Sequence, residues 1–205
     1  MKRLALAVLA MAAAFAFAVP ARAVTIVDTF GPGNSYAAGV AWQVGYLDVT
    51  PQFGNLAVGV GFTLNSTAVI DDVAVAVRAS NFTLTIMGSD GGLPDDIVLG
   101  TVSGDFTGDG YVEFDPSITL GAGSYWLVMT SPQALLGGWY FNSQGMTAPF
   151  AANYQDSSGW FLSASATLPA FRIGATAVPE PATLALAGAG LLGMAALRRR
   201  GGWRR

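Results

Sequence analysis

The sequence of 205 residues contains no cysteine and no histidine. Without cysteine, the chain has neither disulfides nor thiolate sites for metals or redox chemistry. Without histidine, it lacks the usual general base of serine and cysteine hydrolases and the commonest ligand of catalytic zinc. We therefore expect a protein that is not an enzyme and that needs no cofactor.

Basic residues are scarce in the central part of the chain. Residues 24–178 contain eleven Asp and one Glu but only two cations, Arg78 and Arg172, which gives a net charge of −10. The other eight basic residues lie in the two ends of the sequence. Such a body has no cationic surface for phosphate backbones, so nucleic acid is excluded as a partner. It would also repel anionic polymers unless divalent cations bridged the two.

The first 23 residues have the pattern of a secretory signal peptide. Lys2 and Arg3 precede an apolar run from Leu4 to Val19, and Ala21-Arg22-Ala23 is a small-x-small cleavage site. The run is shorter than the roughly 20 residues of a membrane span, and Pro20 ends it. We expect export and cleavage by signal peptidase, with Ala21 and Ala23 forming the recognition site.

The last 28 residues differ in kind from the body. Residues 182–197 (ATLALAGAGLLGMAAL) are uncharged and are followed by Arg198, Arg199 and Arg200. Sixteen helical residues reach about 24 Å, short of a hydrocarbon core of roughly 30 Å, but snorkelling arginines and local thinning close that gap. The pattern predicts a single transmembrane helix stopped by the arginines, with a cytoplasmic C-terminus and the body outside.

A short motif stands directly before this apolar run. Val178-Pro179-Glu180-Pro181, then the apolar segment, then the arginine block, resembles the PEP-CTERM sorting signal of Gram-negative bacteria. The resemblance implies processing by an exosortase-type membrane enzyme, transient anchoring in the inner membrane, and a final place at the cell surface or outside the cell. It also implies an association with biofilm and exopolysaccharide.

The body, residues 24–177, alternates short β-branched and aromatic runs with Gly, Asn, Asp, Ser and Pro. In residues 73–77 the valines and alanines take opposite faces of a strand. We predict an all-β fold, an antiparallel, jelly-roll-like β-sandwich. The candidate strands are Val24–Phe30, Ala41–Asp48, Leu56–Leu64, Ala68–Arg78, Phe82–Met87, Ile97–Phe106, Tyr111–Phe114, Tyr125–Thr130, Gly138–Asn142, Trp160–Ser163 and Ala170–Ala175. The body is also loosely similar to the "choice-of-anchor" ectodomains, through Phe62–Leu64, Gly91-Gly92-Leu93-Pro94, and Gly123–Val128 followed by Gly138-Trp139-Tyr140.

Two acidic patterns in the body are candidates, one for a calcium site and one for a catalytic carboxylate pair. Asp105, Asp109 and Glu113 lie in a run that partly matches a calcium loop, but Thr107 and Pro116 occupy ligand positions, and a hairpin with Asp109-Gly110 at its tip is the alternative. Asp71-Asp72 and Asp95-Asp96 are adjacent pairs, which on a regular strand point to opposite faces. Neither pattern selects the carboxylate pair that glycoside hydrolysis needs.

The second half of the body is dense in aromatic residues. Trp139, Tyr140 and Trp160 are candidates for a platform that stacks on sugar rings, and Tyr140 is expected to be exposed. Large aromatic residues more often fill sandwich cores. The sequence thus favours a non-catalytic structural or adhesive surface protein. A carbohydrate-binding module is the first alternative, and a carboxylate-based glycan hydrolase is the second.

Overall fold

The computed structural model describes residues 23–46, 55–78, 82–104, 109–131, 137–153, 159–178 and Gly190. Residues Ala23–Ala177 form one compact unit, called the body below, and Met1–Arg22 with Val178–Arg205 form another. Most of the predicted signal peptide and sorting tail lies outside the described residues, including Ala21, Pro179, Glu180, Pro181, Arg198, Arg199 and Arg200. Among the described residues, no helix is long and apolar enough to cross a membrane.

The described part of the body is built almost wholly from strands, and every paired strand is antiparallel to its neighbour. The prediction of an all-β antiparallel fold is therefore confirmed. One 3₁₀ turn, Pro32–Asn34, follows the first strand. The strands are β1 Ala23–Asp28, β2 Tyr36–Tyr46, β3 Asn55–Leu64, β4 Ala68–Arg78, β5 Phe82–Asp90, β6 Leu93–Gly104, β7 Asp109–Phe114, β8 Ile118–Leu120, β9 Gly123–Thr130, β10 Gly137–Asn142, β11 Thr147–Asn153, β12 Trp160–Thr167 and β13 Phe171–Ala177.

The strands fall into two layers that are joined at one point. In the first layer β4 pairs with β7 and β8 along one edge and with β13 and then β10 along the other, while β1 continues from β13 and β2 from β10. The second layer has the order β12-β11-β3-β9-β5-β6. Two residue pairs between β2 and β3, Gly45 with Leu56 and Tyr46 with Asn55, connect the layers. The result is one open sheet of thirteen strands, rather than the two separate sheets of a jelly roll.

The inner faces of both layers share one hydrophobic core. The valines of β4, Val73, Val75 and Val77, belong to the same buried cluster as Leu84 of β5 and Leu127 of β9. All five side chains are fully buried. Burying each of them is worth about 1.5–3 kcal/mol, so this shared interior holds the layers together in a sandwich-like arrangement.

The outer face of the first layer is covered as well. Ala74 and Ala76, which alternate with the valines as predicted, pack with Phe30, Tyr140 and Ala170 in a second buried cluster. The backbone N–H of Ala76 donates to the carbonyl oxygen of Ala170 at 3.1 Å, so Ala170 lies beside Ala76 in the same sheet, next to the pair Phe171 and Val75. Strand β4, which carries both the core valines and these alanines, is therefore buried on both faces.

All eleven predicted strands are present, and two strands were missed. β8 has only three residues, and β11 contains Pro149, a residue type that is disfavoured in a strand lying between two others. The register of β11 against β12 shifts between Ala148 and Phe150, and its pairing with β3 begins at Phe150. Proline is tolerated at such an irregularity because its missing N–H removes no ladder hydrogen bond there.

Two local expectations were wrong. Asp109-Gly110 is not a hairpin tip, because β6 pairs with β5 while β7 pairs with β4. Asp71 and Asp72 do not sit on a regular strand either, because the register of β4 against β13 shifts beside them. This bulge lets Ile70 and Val73 both enter the core while the two carboxylates between them stay partly exposed.

Candidate functional site

The strand that precedes the predicted sorting motif is paired with the strand that begins the body. β13 ends at Ala177, and its Thr176 and Ala175 pair with Ala23 and Val24 of β1. Ala23 is thus the first residue of a strand as well as the last residue of the predicted cleavage site. The two ends of the body therefore leave it side by side, at one edge of the first layer.

Two of the three predicted platform residues are buried. Trp139 is 0% exposed, and its indole N–H donates to the carbonyl oxygen of Ala170 at 3.0 Å inside the main core. Tyr140 is only 3% exposed, so the expectation that it faces solvent is wrong. Its ring stacks on Tyr36 with centroids 5.2 Å apart, in the cluster that covers the outer face of the first layer. Neither ring is accessible to a sugar in this structure.

The third platform residue, Trp160, lies at the surface of the second layer. It begins β12, pairs with Asn153 of β11 and is partly buried. Its inner side packs against a small cluster on the outer face of the layer, formed by Ala57, Trp126, Val128 and Ala151. Trp160 is therefore the predicted platform residue that the fold leaves accessible.

The β5–β6 hairpin lies over the same outer face. Its tip is a tight turn in which Gly91 (φ +57°) and Gly92 (φ +84°) both adopt positive φ, as a type I′ turn requires. Leu93 packs beside Trp126, and the indole N–H of Trp126 donates to Ser89 Oγ at 3.2 Å. The tip is thereby fixed close to the beginning of β12.

A groove of about 390 Å³ separates the hairpin tip from Trp160. We call it the Trp160 groove, and its walls include Asp90, Leu93, Pro94, Asp95, Asn153 and Trp160. The carboxylate of Asp95 is positioned by a bond from the backbone N–H of Ile97 to Oδ1 at 3.0 Å. Among the residues that the structure describes, none bonds to the carboxylate of Asp90. Sequence reasoning named Trp160 and the Asp95-Asp96 pair without bringing them together, and it missed Asp90.

A second groove, of about 520 Å³, lies on the other side of the hairpin tip. Its walls include Thr63, Ser89, Ser124 and Tyr125. The Tyr125 hydroxyl donates to the carbonyl oxygen of Gly121 at 3.0 Å. This groove offers hydroxyls and three aromatic rings, those of Phe62, Tyr125 and Trp126, but no carboxylate among the described residues that line it.

Glu113 is the one calcium candidate whose side chain the structure describes. Asp105 lies outside the described residues, and for Asp109 only the backbone is described, at the start of β7. Glu113 points its oxygens at other partners: Oε2 accepts the Tyr111 hydroxyl at 2.6 Å, and Oε1 lies 3.3 Å from Arg172 Nη2. The described residues contain no group of three or more acids that could hold a metal ion.

Arg172 is the centre of a compact polar network, the Arg172 cluster. Its Nε donates to Asp72 Oδ2 at 2.8 Å, and its Nη2 donates to the Tyr111 hydroxyl at 2.8 Å. Its Nη1 reaches Asn34 Oδ1 at 3.3 Å, beside the 3₁₀ turn. The hydrogen bonds to Asp72 raise the pKa of Arg172 above its usual range. The cluster links β13, β4, β7 and the turn, and its groups satisfy one another.

Tyr111 is the second titratable group that this cluster perturbs. Burial is the main cause that raises its pKa to about 12, and the hydrogen bond to Glu113 adds to the effect. Both causes disfavour the phenolate, because the anion would lose solvation and would face the Glu113 carboxylate. The arrangement keeps a neutral phenol between an arginine and a glutamate, which is a structural rather than a catalytic role.

Comparison with known proteins identifies the end of the chain. Residues 177–200 match the PEP-CTERM protein-sorting motif, which confirms the motif predicted from the sequence. The motif is associated with processing by exosortase, a membrane enzyme, and it implies export and transient membrane anchoring. No curated protein and no solved structure matches the chain. The match begins at the last residue of β13, so no linker separates the final strand from the motif.

Proposed function

We propose that this chain is a non-catalytic surface or extracellular-matrix protein that an exosortase-type enzyme sorts after export. The observation that carries the proposal is the position of the sorting motif, which starts at the last residue of the final strand. The body is therefore complete before the sorting segment begins. Its role would be structural or adhesive, in a biofilm or exopolysaccharide matrix.

The charges of the chain support a particular orientation. The arginine block after the apolar segment would stay in the cytoplasm by the positive-inside rule, and the body with its net charge of −10 would lie outside. Signal peptidase would remove residues 1–23, and the tail would hold the protein in the inner membrane until it is processed. The final location would be the cell surface or the medium.

The sorting proposal is tested by replacing Pro179, Glu180 and Pro181 together with alanine. In cells that carry an exosortase, the variant should accumulate in the membrane fraction at full length, whereas the unchanged chain should be processed and released. Ser165→Ala, an exposed change on β12, is the matched control and should be processed normally. Equal release of the triple variant would contradict the proposal, as would equal processing in cells that lack an exosortase.

A matrix role predicts where the processed body is found. We expect it to be recovered with the extracellular matrix and to need denaturant, rather than a salt wash, for its removal. Deleting the gene should reduce the mass or cohesion of the matrix, and the unchanged chain should restore it. A processed body that is found only free in the medium would exclude a structural role in the matrix.

Carbohydrate binding is the second candidate function, and the Trp160 groove is the observation that favours it. An accessible indole ring with carboxylates around it offers both stacking and hydrogen bonding. A hydrolase is the less favoured reading of the same groove. A general acid needs a carboxyl held in an apolar pocket, whereas Asp90 is exposed at the hairpin tip.

A further inference from the structure

We propose that the Trp160 groove binds an uncharged polysaccharide, with the Trp160 ring as the stacking surface and the polar groups at the hairpin tip as hydrogen-bond partners. This inference rests on carbohydrate binding, the second candidate function above, and is independent of the sorting proposal. The groove has a volume of about 390 Å³, within the usual range of ligand sites.

The Trp160 ring is held in place before any ligand arrives. It belongs to a paired position, Asn153 with Trp160, and it packs on the cluster around Trp126. A large ring with only two side-chain torsions loses little entropy when a ligand stacks on it. The apolar face of a sugar ring is the complementary surface, because it can cover the indole while its hydroxyls remain directed outward.

The polar groups of the groove suit neutral hydroxyls. Asp90 and Asp95 offer carboxylate oxygens that accept hydrogen bonds from hydroxyl donors, and such charge-assisted bonds are stronger than neutral ones. The bond from the backbone N–H of Ile97 positions the Asp95 carboxylate, and the glycine turn fixes the backbone beside Asp90, so the hydrogen-bonding frame is preorganised in part.

The charge of the groove selects against acidic polymers. The described residues that line it include two carboxylates and no cation, and the body as a whole carries a net charge of −10. A uronate or sulfate polymer would therefore be repelled, both on approach and at the site. The ligand class that remains is a neutral glycan, such as a glucan or mannan.

The test uses the full-length chain in a zwitterionic detergent, so that no sugar headgroup competes. Soluble β-glucan, α-glucan and mannan are the probes, with alginate as the anionic comparison, and binding is measured by affinity electrophoresis and calorimetry. We expect at least one neutral glycan to bind and alginate not to bind. No binding to any neutral probe, with or without calcium, would overturn the proposal, and so would stronger binding to alginate.

Two neighbouring aromatic residues provide the matched variants. Trp160→Ala should lower the association constant for the glycan at least tenfold, because loss of a stacking ring typically costs at least about 1.4 kcal/mol of binding free energy. Phe161→Ala removes an exposed ring that does not line the groove and should leave binding unchanged. Trp160→Phe keeps a ring and should retain part of the affinity. Equal effects of Trp160→Ala and Phe161→Ala would refute the assignment of the groove.

Aspartate variants and a product assay complete the test. Asp90→Asn and Asp95→Asn keep the shape of the side chains and should weaken binding severalfold without abolishing it. Release of reducing ends from a bound glycan would overturn a pure binding site and indicate the hydrolase alternative. Sorting of the Trp160→Ala chain is measured in parallel. Retained binding by the Trp160→Ala chain would refute the groove alone, whereas a lack of processing of the unchanged chain would refute the sorting proposal alone.

Discussion

The two layers of the body each carry a cluster of acids and aromatic rings on the outer face, but the clusters differ in one component. The Arg172 cluster contains a cation that neutralises Asp72 and Glu113 and bonds to Tyr111. The Trp160 groove contains Asp90 and Asp95 without a described cation among its walls. In the Arg172 cluster the polar groups bond to one another. In the Trp160 groove the carboxylates of Asp90 and Asp95 remain available to accept hydrogen bonds from a ligand.

This difference separates a stabilising site from a binding site. A carboxylate that is paired inside the protein contributes to the free energy of unfolding, whereas an exposed carboxylate contributes little. Substitutions should therefore lower stability in the Arg172 cluster, while in the Trp160 groove they should change ligand affinity. The predictions below are ordered from the largest expected effect on stability to the smallest.

Arg172→Ala should lower the free energy of unfolding by about 2 kcal/mol, since it leaves Asp72 and Glu113 without their cation and removes several charge-assisted bonds. The guanidinium is 18% exposed, so solvent screens the loss only in part. Urea unfolding at pH 7 measures the change. A loss of unfolding free energy below about 0.5 kcal/mol would show that the Arg172 cluster contributes no more than ordinary surface ion pairs do. That result would contradict the difference described between this cluster and the Trp160 groove.

Gly88→Ala should lower the free energy of unfolding by about 1 kcal/mol, because a Cβ at Gly88 would clash with the Asp95 carboxylate and would displace it. The bond from Ile97 to Asp95 would be lost, and glycan affinity should fall as well. The same substitution in an Asp95→Ala background should cost clearly less. An equal cost in both backgrounds would show that Asp95 is not what limits this position.

Tyr111→Phe should make stability less sensitive to alkaline pH. The pKa of Tyr111 is about 12 in the folded body and about 10 in an unfolded chain, so the folded state favours the neutral phenol. The resulting contribution is fully present below pH 10 and is lost as the pH rises from 10 to 12. Urea unfolding of the unchanged protein and of the variant across this window should give converging curves. Tyr36→Phe controls for removal of one partly buried tyrosine, and parallel curves for Tyr111→Phe would contradict the prediction.

Asp90→Asn should change the free energy of unfolding by less than about 0.5 kcal/mol, since among the described residues its carboxylate has no partner to lose. The matched change in the other cluster, Asp72→Asn, should be clearly destabilising because Arg172 would lose a charged acceptor. Urea unfolding of both variants in one buffer makes the comparison direct. Equal losses would mean that the two clusters do not differ in the way described.

The strand content was predictable because alternation is a local property of the sequence. Residues 73–77 show this, since the valines enter the main core and the alanines the outer cluster, as their spacing indicates. The same local reasoning failed where a strand is irregular. The bulge beside Asp71 and the proline of β11 both depend on the register of a partner strand that lies far away in the sequence.

The exposure of the aromatic residues was not predictable from their positions. Alternation in Trp139-Tyr140 correctly turns one ring away from the main core, but Tyr140 then packs with Phe30 and Ala170 in the second buried cluster. Trp160 stays accessible because its strand lies at the end of the second layer. Which face of a strand is covered depends on the packing of distant segments, and a local pattern carries no information about that packing.

The sequence by itself determined the sorting motif, the all-β class and the acidic charge of the body, because each follows from residues that are adjacent or simply counted. Only the tertiary structure decided which acids meet a cation and which remain open. Arg172 and Asp72 are 100 positions apart, and Asp90 and Trp160 lie on separate hairpins. These pairs meet only because the antiparallel layers fold over one core, and that contact separates the stabilising cluster from the proposed binding groove.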